Sequence, residues 1–130
     1  MEKKFVKVGQ LREGSYILID DLVCQIKGIE KSKPGKHGAA KARVSAFGVF
    51  DDVKRTLLKS TGDEAEIPIV NRSNAQVSAV LGDQLSLMDI ETFEVFECPK
   101  PKEFSVKAGD EVEFIRVDQN VRVLRKRGTN

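Results

Sequence analysis

Apolar and polar residues alternate along most of this chain with a period of two, the spacing at which side chains point to opposite faces of a β-strand. Val44 and Ala46, for example, are separated by the polar Ser45. No segment shows a sustained 3.6-residue apolar stripe, so the only helix expected is about one turn around Val8–Arg12. The pattern predicts strands over residues 16–19, 22–27, 43–50, 54–60, 65–70, 76–81, 84–89, 92–97, 112–117 and 121–126.

Turn-forming residues separate these strands, among them Gly82-Asp83 and Asp118-Gln119-Asn120. Many short strands at such spacing are typical of antiparallel sandwiches or small barrels, so the fold class is all-β. The polar segment Asn71–Asn74 divides the chain near its middle, and we expect it to be an exposed boundary between residues 1–70 and 71–130. The pattern alone does not exclude a single sandwich. The candidate core residues are Leu18, Leu22, Ile26, Val44 and Phe50 in the first half, and Val77, Leu85, Leu87, Phe93, Val112 and Phe114 in the second.

The composition is that of a folded protein, because hydrophobic residues make up 40% and charged residues 32% of the 130 positions. No apolar run approaches the ~20 residues that a membrane-spanning helix needs. The segment Met1–Phe5 lacks the apolar stretch of a secretory signal. These observations predict a cytoplasmic protein with no membrane partner.

Cys24 and Cys98 lie far apart in the sequence and form no CxxC pair. With a single His, they cannot supply the paired ligands of a structural zinc site, so no metal site is expected. Cys24 lies among apolar neighbours, which favours a buried free thiol.

The net charge of +2 is unevenly distributed: residues 1–69 carry 13 basic and 10 acidic side chains, and residues 83–113 carry nine acidic side chains against three lysines. Residues 116–127 carry five basic side chains and one acid. A nucleic-acid partner would therefore be met by local basic patches and not by a uniformly basic surface.

Residues 31–43 form the most unusual stretch of the sequence, with five lysine and arginine side chains and no acid. Because strand-like residues lie on both sides, the segment is predicted to be the long tip of a β-hairpin. Pro34-Gly35 suits the central positions of a type II turn, in which the second residue has a positive φ. This arrangement would place Lys36 at the apex of the hairpin.

Three simpler interpretations of this tip fit its residues to different degrees. A phosphate-binding P-loop needs Gly where Glu30 stands, and Ser or Thr where His37 stands. A catalytic His37 has no fixed carboxylate neighbour in the sequence. A solvated lysine-rich turn is compatible with the residues taken by themselves.

Ser32-Lys33-Pro34-Gly35-Lys36-His37-Gly38, followed by Ala40-Lys41-Ala42-Arg43-Val44, resembles the hypusine loop of the translation initiation factor 5A family in its archaeal form. The bacterial counterpart, elongation factor P, shares the Pro-Gly-Lys tip but usually has a third domain, for which this chain has no residues. The similarity extends to Glu13–Tyr16, Gly48–Asp51, Lys54-Arg55, Ile67–Ile69 and Leu85–Asp89.

The resemblance implies two small β-barrels, an N-terminal SH3-like barrel over residues 1–70 that carries the loop, and a C-terminal OB-fold over residues 71–130. It also implies that deoxyhypusine synthase adds the aminobutyl part of spermidine to Lys36, with no other cofactor. The family is not enzymatic. It acts from the ribosomal exit site, where it supports peptidyl-tRNA and relieves stalling.

RNA contacts are expected from the loop and from the basic end of the chain. For the basic end, the alternative is a final strand whose charged side chains are simply solvated. For the whole protein, the alternative is a general RNA-binding or RNA-chaperone function. The second alternative would need aromatic stacking platforms, whereas the chain has one Tyr, no Trp and seven Phe mostly at core-like positions. The loop residues that would support the modification or contact transfer or ribosomal RNA are Lys31, Lys33, Pro34, Gly35, His37, Gly38, Lys41 and Arg43, and the C-terminal candidates are Arg122, Arg125, Lys126 and Arg127.

Overall fold

The structure, a computed structural model, describes residues 1–32 and 40–127. Within these residues it consists of β-strands and one 3-10 turn, as the all-β prediction requires. The chain divides into two compact units, Met1–Ile69 and Val70–Asn130. No helix in the described ranges is long and apolar enough to cross a membrane.

The first unit contains a four-stranded antiparallel sheet in the order β2-β3-β4-β5 and a two-stranded sheet of β1 and β6. The 3-10 turn covers Val8–Gln10, within the helical turn expected there. The strands are β1 (Lys3–Lys7), β2 (Tyr16–Ile19), β3 (Leu22–Lys31), β4 (Lys41–Gly48), β5 (Lys54–Ser60) and β6 (Glu64–Pro68).

The core of the first unit is built by strand alternation. Ala42, Val44 and Ala46 of β4 are fully buried, whereas the residues between them are exposed or half-buried. The prediction for Leu22 was wrong: it is 44% exposed because it begins β3, directly after the Asp20-Asp21 turn. Phe50 is only half-buried because it lies in the turn that follows β4. The remaining buried members of this core are Val8, Leu11, Ile17, Ile19, Cys24, Ile26 and Ala65.

The second unit is a five-stranded antiparallel sheet in the order β11-β10-β7-β8-β9. Its core includes the edge-to-face ring pair of Phe96 and Phe114, whose centroids are 5.2 Å apart. Val77, Leu85, Leu87, Val112 and Phe114 are buried as predicted. The strands are β7 (Asn71–Leu81), β8 (Gln84–Asp89), β9 (Val95–Pro99), β10 (Glu111–Val117) and β11 (Asn120–Lys126).

Phe93 was predicted to lie in the core, and this was wrong: its side chain is 68% exposed. The predicted strand 92–97 begins only at Val95, because Thr92 and Phe93 belong to the turn between β8 and β9. Phe93 has a φ of 64° there, outside the β region.

The predicted division between residues 70 and 71 lies one residue from the observed one, but the prediction that Asn71–Asn74 is an exposed linker was wrong. These residues are the start of β7 and pair with β10, Asn74 opposite Glu113 and Arg72 opposite Ile115. Arg72 also donates to the Glu113 carboxylate at 3.1 Å. Pairing with β10 satisfies the backbone hydrogen bonds of these residues, and one face of the strand lies in solvent, where polar side chains are accommodated. This tertiary pairing outweighs the preference of Asn for turns. The chain passes from one unit to the next between Ile69 and Val70.

Candidate nucleic-acid interface at the β3–β4 hairpin

The hairpin of β3 and β4 is closed at its far end by Ser32 and Lys41. The Ser32 N–H donates to the Lys41 carbonyl at 2.9 Å, and the Ser32 Oγ lies 3.3 Å from both the carbonyl oxygen and the N–H nitrogen of Lys41. Before this closure the strands pair in register, Glu30 opposite Arg43 and Lys31 opposite Ala42. The two ends of segment 33–39 are therefore fixed by a hydrogen-bonded sheet.

The base of the hairpin is also held from the side. The Ala40 carbonyl accepts the Thr61 N–H at 2.9 Å, and the Thr61 carbonyl accepts the Gly9 N–H at 2.9 Å. Lys31 Nζ in turn donates to the Gly9 carbonyl at 3.2 Å. A Cβ at Gly9 would lie 3.3 Å from the Thr61 oxygen, so glycine allows this close approach of two backbones.

Lys41 and Arg43 present their charges on one face of β4. Since Ala42 and Val44 are fully buried, Lys41 and Arg43, which alternate with them along the strand, point away from the core. Both cations are exposed, and in the described part of the chain neither forms an ion pair. Their charges are therefore available to a phosphate backbone. Lys31 is exposed at the end of β3, although its ammonium is engaged with Gly9.

The remaining predicted loop residues lie outside the described residues. They are Lys33, Pro34, Gly35, Lys36, His37 and Gly38.

The other end of β4 is closed by Asp51 and Arg55. The Arg55 guanidinium donates to both Asp51 carboxylate oxygens, at 2.8 and 3.1 Å, and Asp51 Oδ1 also accepts the Val53 N–H at 3.1 Å. This pairing holds the pKa of the Asp51 carboxyl below its ordinary value. A Cβ at Gly48 would lie 1.7 Å from Asp51 Oδ1, so any larger residue there would have to displace the Asp51 carboxylate.

The two cysteines are free and buried, as expected for Cys24. Burial raises the pKa of the Cys24 thiol, and it raises the pKa of the Cys98 thiol to about 11. Thiols with raised pKa values are poor nucleophiles and poor metal ligands at neutral pH. Among residues 1–32 and 40–127, no group of three His, Cys, Asp or Glu side chains could hold a metal ion.

The basic C-terminal residues are brought together on β11 and just after it, but each has a local partner. Arg122 pairs with Glu103, and this hydrogen bond lowers the pKa of the Glu103 carboxyl. Arg125 Nε lies 2.8 Å from Glu113 Oε1. Lys126 Nζ lies 3.4 Å from Asp110 Oδ2, and Arg127 donates to Asn74 Oδ1 at 3.0 Å.

These acidic partners were not predicted from the sequence. Glu113 is reached through strand pairing, since it lies opposite both Arg125 and Asn74 in the ladder. The pKa of Asp110 is lowered mainly by the Lys107 N–H, with Lys126 contributing. Acidic partners thus neutralise most of the basic side chains on β11. Lys41 and Arg43, by contrast, form no ion pair within the described ranges.

The chain is similar to known proteins over nearly its full length. Residues 3–62 match the family model described as "Translation initiation factor 5A-like, N-terminal". The chain is 50% identical to "Translation initiation factor 5A" of Methanosarcina acetivorans over 115 residues, which cover 87% of this chain and 90% of that protein. It is 44% identical to the protein of the same name from Methanothermobacter thermautotrophicus over 130 residues, covering 98% and 100%.

A solved structure agrees with these relatives. "Eukaryotic translation initiation factor 5A from Methanococcus jannaschii" superposes with a TM-score of 0.89 at 41% sequence identity, covering 95% of this chain and 94% of that one. Two small β domains are therefore the shared architecture. These similarities show that the chain belongs to the translation initiation factor 5A family.

Proposed function

We propose that this translation factor binds the ribosome and acts there through an aminobutyl extension of Lys36. The observation that carries the proposal is the hydrogen-bonded base of the hairpin, formed by Ser32, Ala40, Lys41 and Thr61. This base gives segment 33–39 two fixed ends on a four-stranded sheet. Membership of the family supplies the role in translation.

The proposed modification is the transfer of the aminobutyl group of spermidine to the ε-amine of Lys36 by deoxyhypusine synthase. The bond between the aminobutyl carbon and the secondary amine of spermidine breaks, and a new carbon–nitrogen bond forms to Lys36 Nζ. The leaving group is 1,3-diaminopropane, which takes the proton that the lysine amine loses. The product side chain is about twice as long and has two amines. Such a side chain suits a narrow RNA channel because its charges meet phosphates while its methylenes lie along bases and sugars.

Lys41 and Arg43 have a distinct part in this proposal. Their exposed charges lie on the strand that begins just after the segment carrying Lys36, so they would hold the hairpin against the backbone of transfer or ribosomal RNA. Phosphate contacts position a protein without reading sequence, as a factor that serves every transfer RNA requires.

We propose that the factor promotes peptide bond formation by positioning, with no bond made or broken by its own side chains. From the exit site, the extended Lys36 would order the acceptor end of peptidyl-tRNA. Ordering of reactants lowers the entropic part of a barrier, and it matters most for poor substrates such as consecutive prolines.

The experiment is translation of a message with consecutive proline codons in a reconstituted archaeal system. We expect the modified protein to relieve the stall, and we expect unmodified protein and Lys36→Arg to fail, although Lys36→Arg keeps the charge. Equal rescue by all three proteins would contradict the proposal and would favour a general RNA-binding role.

A further inference from the structure

The turn between β8 and β9 exposes three large apolar side chains within six residues. Ile90 is 38%, Phe93 68% and Val95 61% exposed. Because Phe96 packs into the core, its strand neighbours Val95 and Glu97 point to the opposite face of the sheet. Grouped exposed apolar side chains of this kind mark interaction surfaces more often than single ones do.

This turn is held in one conformation by Asp89, which is only 7% exposed. Its carboxylate Oδ1 accepts the N–H groups of Glu91 and Thr92 at 2.8 and 3.1 Å, and its carbonyl accepts the Phe93 N–H at 2.8 Å. Phe93 consequently has a φ of 64°, which glycine adopts freely and an aromatic residue adopts at a cost. The Phe93 backbone is strained and its ring is mostly in solvent, so the residue contributes little to the stability of the fold. A strained and exposed aromatic residue of this kind points to a role in binding a partner.

The charge around the turn indicates the chemistry of that partner. Residues 73–99 contain five acidic side chains and no Lys, Arg or His. Glu94 is neutralised by Arg116, whose guanidinium nitrogens lie 3.1 and 3.2 Å from its two oxygens. Glu91 and Glu97 are exposed and form no ion pair with any described residue. Such a surface repels phosphates and attracts cations.

We propose that Ile90, Phe93 and Val95, with the carboxylates of Glu91 and Glu97, form a docking surface, here called the turn patch, for a lysine- and arginine-rich protein segment that carries a large apolar side chain. Phe93 is the anchor against which that side chain packs, because aromatic residues are enriched at the buried centres of interfaces and a few such residues dominate the binding energy. Glu91 and Glu97 meet the flanking cations. The proposal does not depend on Lys36.

The test uses the full chain and a fluorescent twelve-residue peptide of lysines and arginines with one phenylalanine and one leucine at its centre. Two further probes are a peptide with serines at those central positions and an oligouridine of twelve nucleotides. Anisotropy measures affinity, and 15N–1H spectra locate each probe on the chain. We expect the first peptide to bind and to shift the amide signals of residues 90–97.

Phe93→Gly separates binding from folding, because it removes the ring and also relieves the strain. We expect its Tm to equal or exceed that of the parent, while the peptide affinity falls by about fivefold or more. The matched control is Phe5→Ala, which removes a ring that is 55% exposed in the first unit and should leave affinity unchanged. Glu91→Gln with Glu97→Gln should lower the salt dependence of binding.

Four results with these probes would overturn the proposal. They are no binding of the first peptide, parental affinity in Phe93→Gly, equal affinity for the serine-containing peptide, and oligouridine shifting residues 90–97. Concentration-dependent shifts of the same signals without any probe would also overturn it, since they would identify a second copy of this chain as the occupant.

Discussion

Ser32 and Lys41 are joined by one backbone hydrogen bond of 2.9 Å and by a serine hydroxyl that lies 3.3 Å from both polar backbone groups of Lys41. The backbone bond is the last rung of the β3–β4 ladder before segment 33–39. We therefore expect modification of Lys36 to be sensitive to this hydrogen bond.

Ser32→Pro should open the base of the hairpin, because proline has no N–H to donate to the Lys41 carbonyl. We expect modification of Lys36 by deoxyhypusine synthase to slow by about tenfold, the equivalent of ~1.4 kcal/mol in positioning. Ser32→Ala is the control, since it removes only the hydroxyl and should be modified at nearly the parental rate. A parental rate in Ser32→Pro would show that the rung does not position the loop.

Lys41→Gln and Arg43→Gln should each weaken ribosome binding and reduce its salt dependence by about one phosphate contact. The measurement is binding affinity across a series of salt concentrations. Lys3→Gln is the matched control, because it removes the same charge from the first unit at a lysine already paired with Glu66 at 3.2 Å. An unchanged salt slope in the double variant would rule out phosphate contacts by these two residues.

Gly48→Ala should destabilise the first unit by about 1–3 kcal/mol, the usual effect of forcing extra atoms into a packed site. The new methyl would collide with Asp51 Oδ1, so the cost should be smaller in an Asp51→Ala background. Denaturant unfolding of the four proteins measures this coupling. Gly28→Ala is the control, because its Cβ would meet no atom within 4 Å. Equal costs in both backgrounds would contradict the steric explanation.

The Asp51–Arg55 pair predicts a loss of stability in acid. Because the folded-state pKa of Asp51 lies below its ordinary value of 3.8, the stabilisation is fully present above that value and is lost as the pH falls through the lowered pKa. The Tm of the parent should therefore fall more steeply below pH 4 than that of Asp51→Asn. Asp20→Asn, which removes a turn carboxylate elsewhere in the first unit, should keep the parental slope. Parallel curves for all three proteins would exclude the contribution of Asp51.

The alternation of side chains was sufficient to predict most strands, because the four-stranded and the five-stranded sheets each have one buried face. The same pattern did not predict β1, because Lys3–Lys7 contains no buried residue. This segment forms a strand by pairing with β6, more than fifty residues away in the sequence. Local preference also misled at Asn71–Asn74, where pairing with β10 overrides the turn preference of asparagine. Such pairings are properties of the folded chain that a short window of sequence does not contain.

The candidate site was predictable where its chemistry is local. The cations of segment 31–43 stand together in the sequence, and Lys41 and Arg43 lie on one face because a strand has a period of two. The acids that pair with Arg125 and Lys126 were missed because they come from β10 and the turn before it. Phe93 was predicted to lie in the core because it is hydrophobic. The hydrogen bonds that Asp89 forms with Glu91, Thr92 and Phe93 hold it in a turn instead, and the hydrophobic pattern does not contain them.

Modification of Lys36 is tested most directly by peptide mass spectrometry of this protein purified from its native host. We expect the peptide containing Lys36 to carry the added mass of one aminobutyl group, with or without one further oxygen, and fragmentation to assign that mass to Lys36. The same peptide from a host without deoxyhypusine synthase is the control and should be unmodified. An unmodified Lys36 in the native protein, or the addition on Lys33 or Lys41, would contradict the proposed role of Lys36.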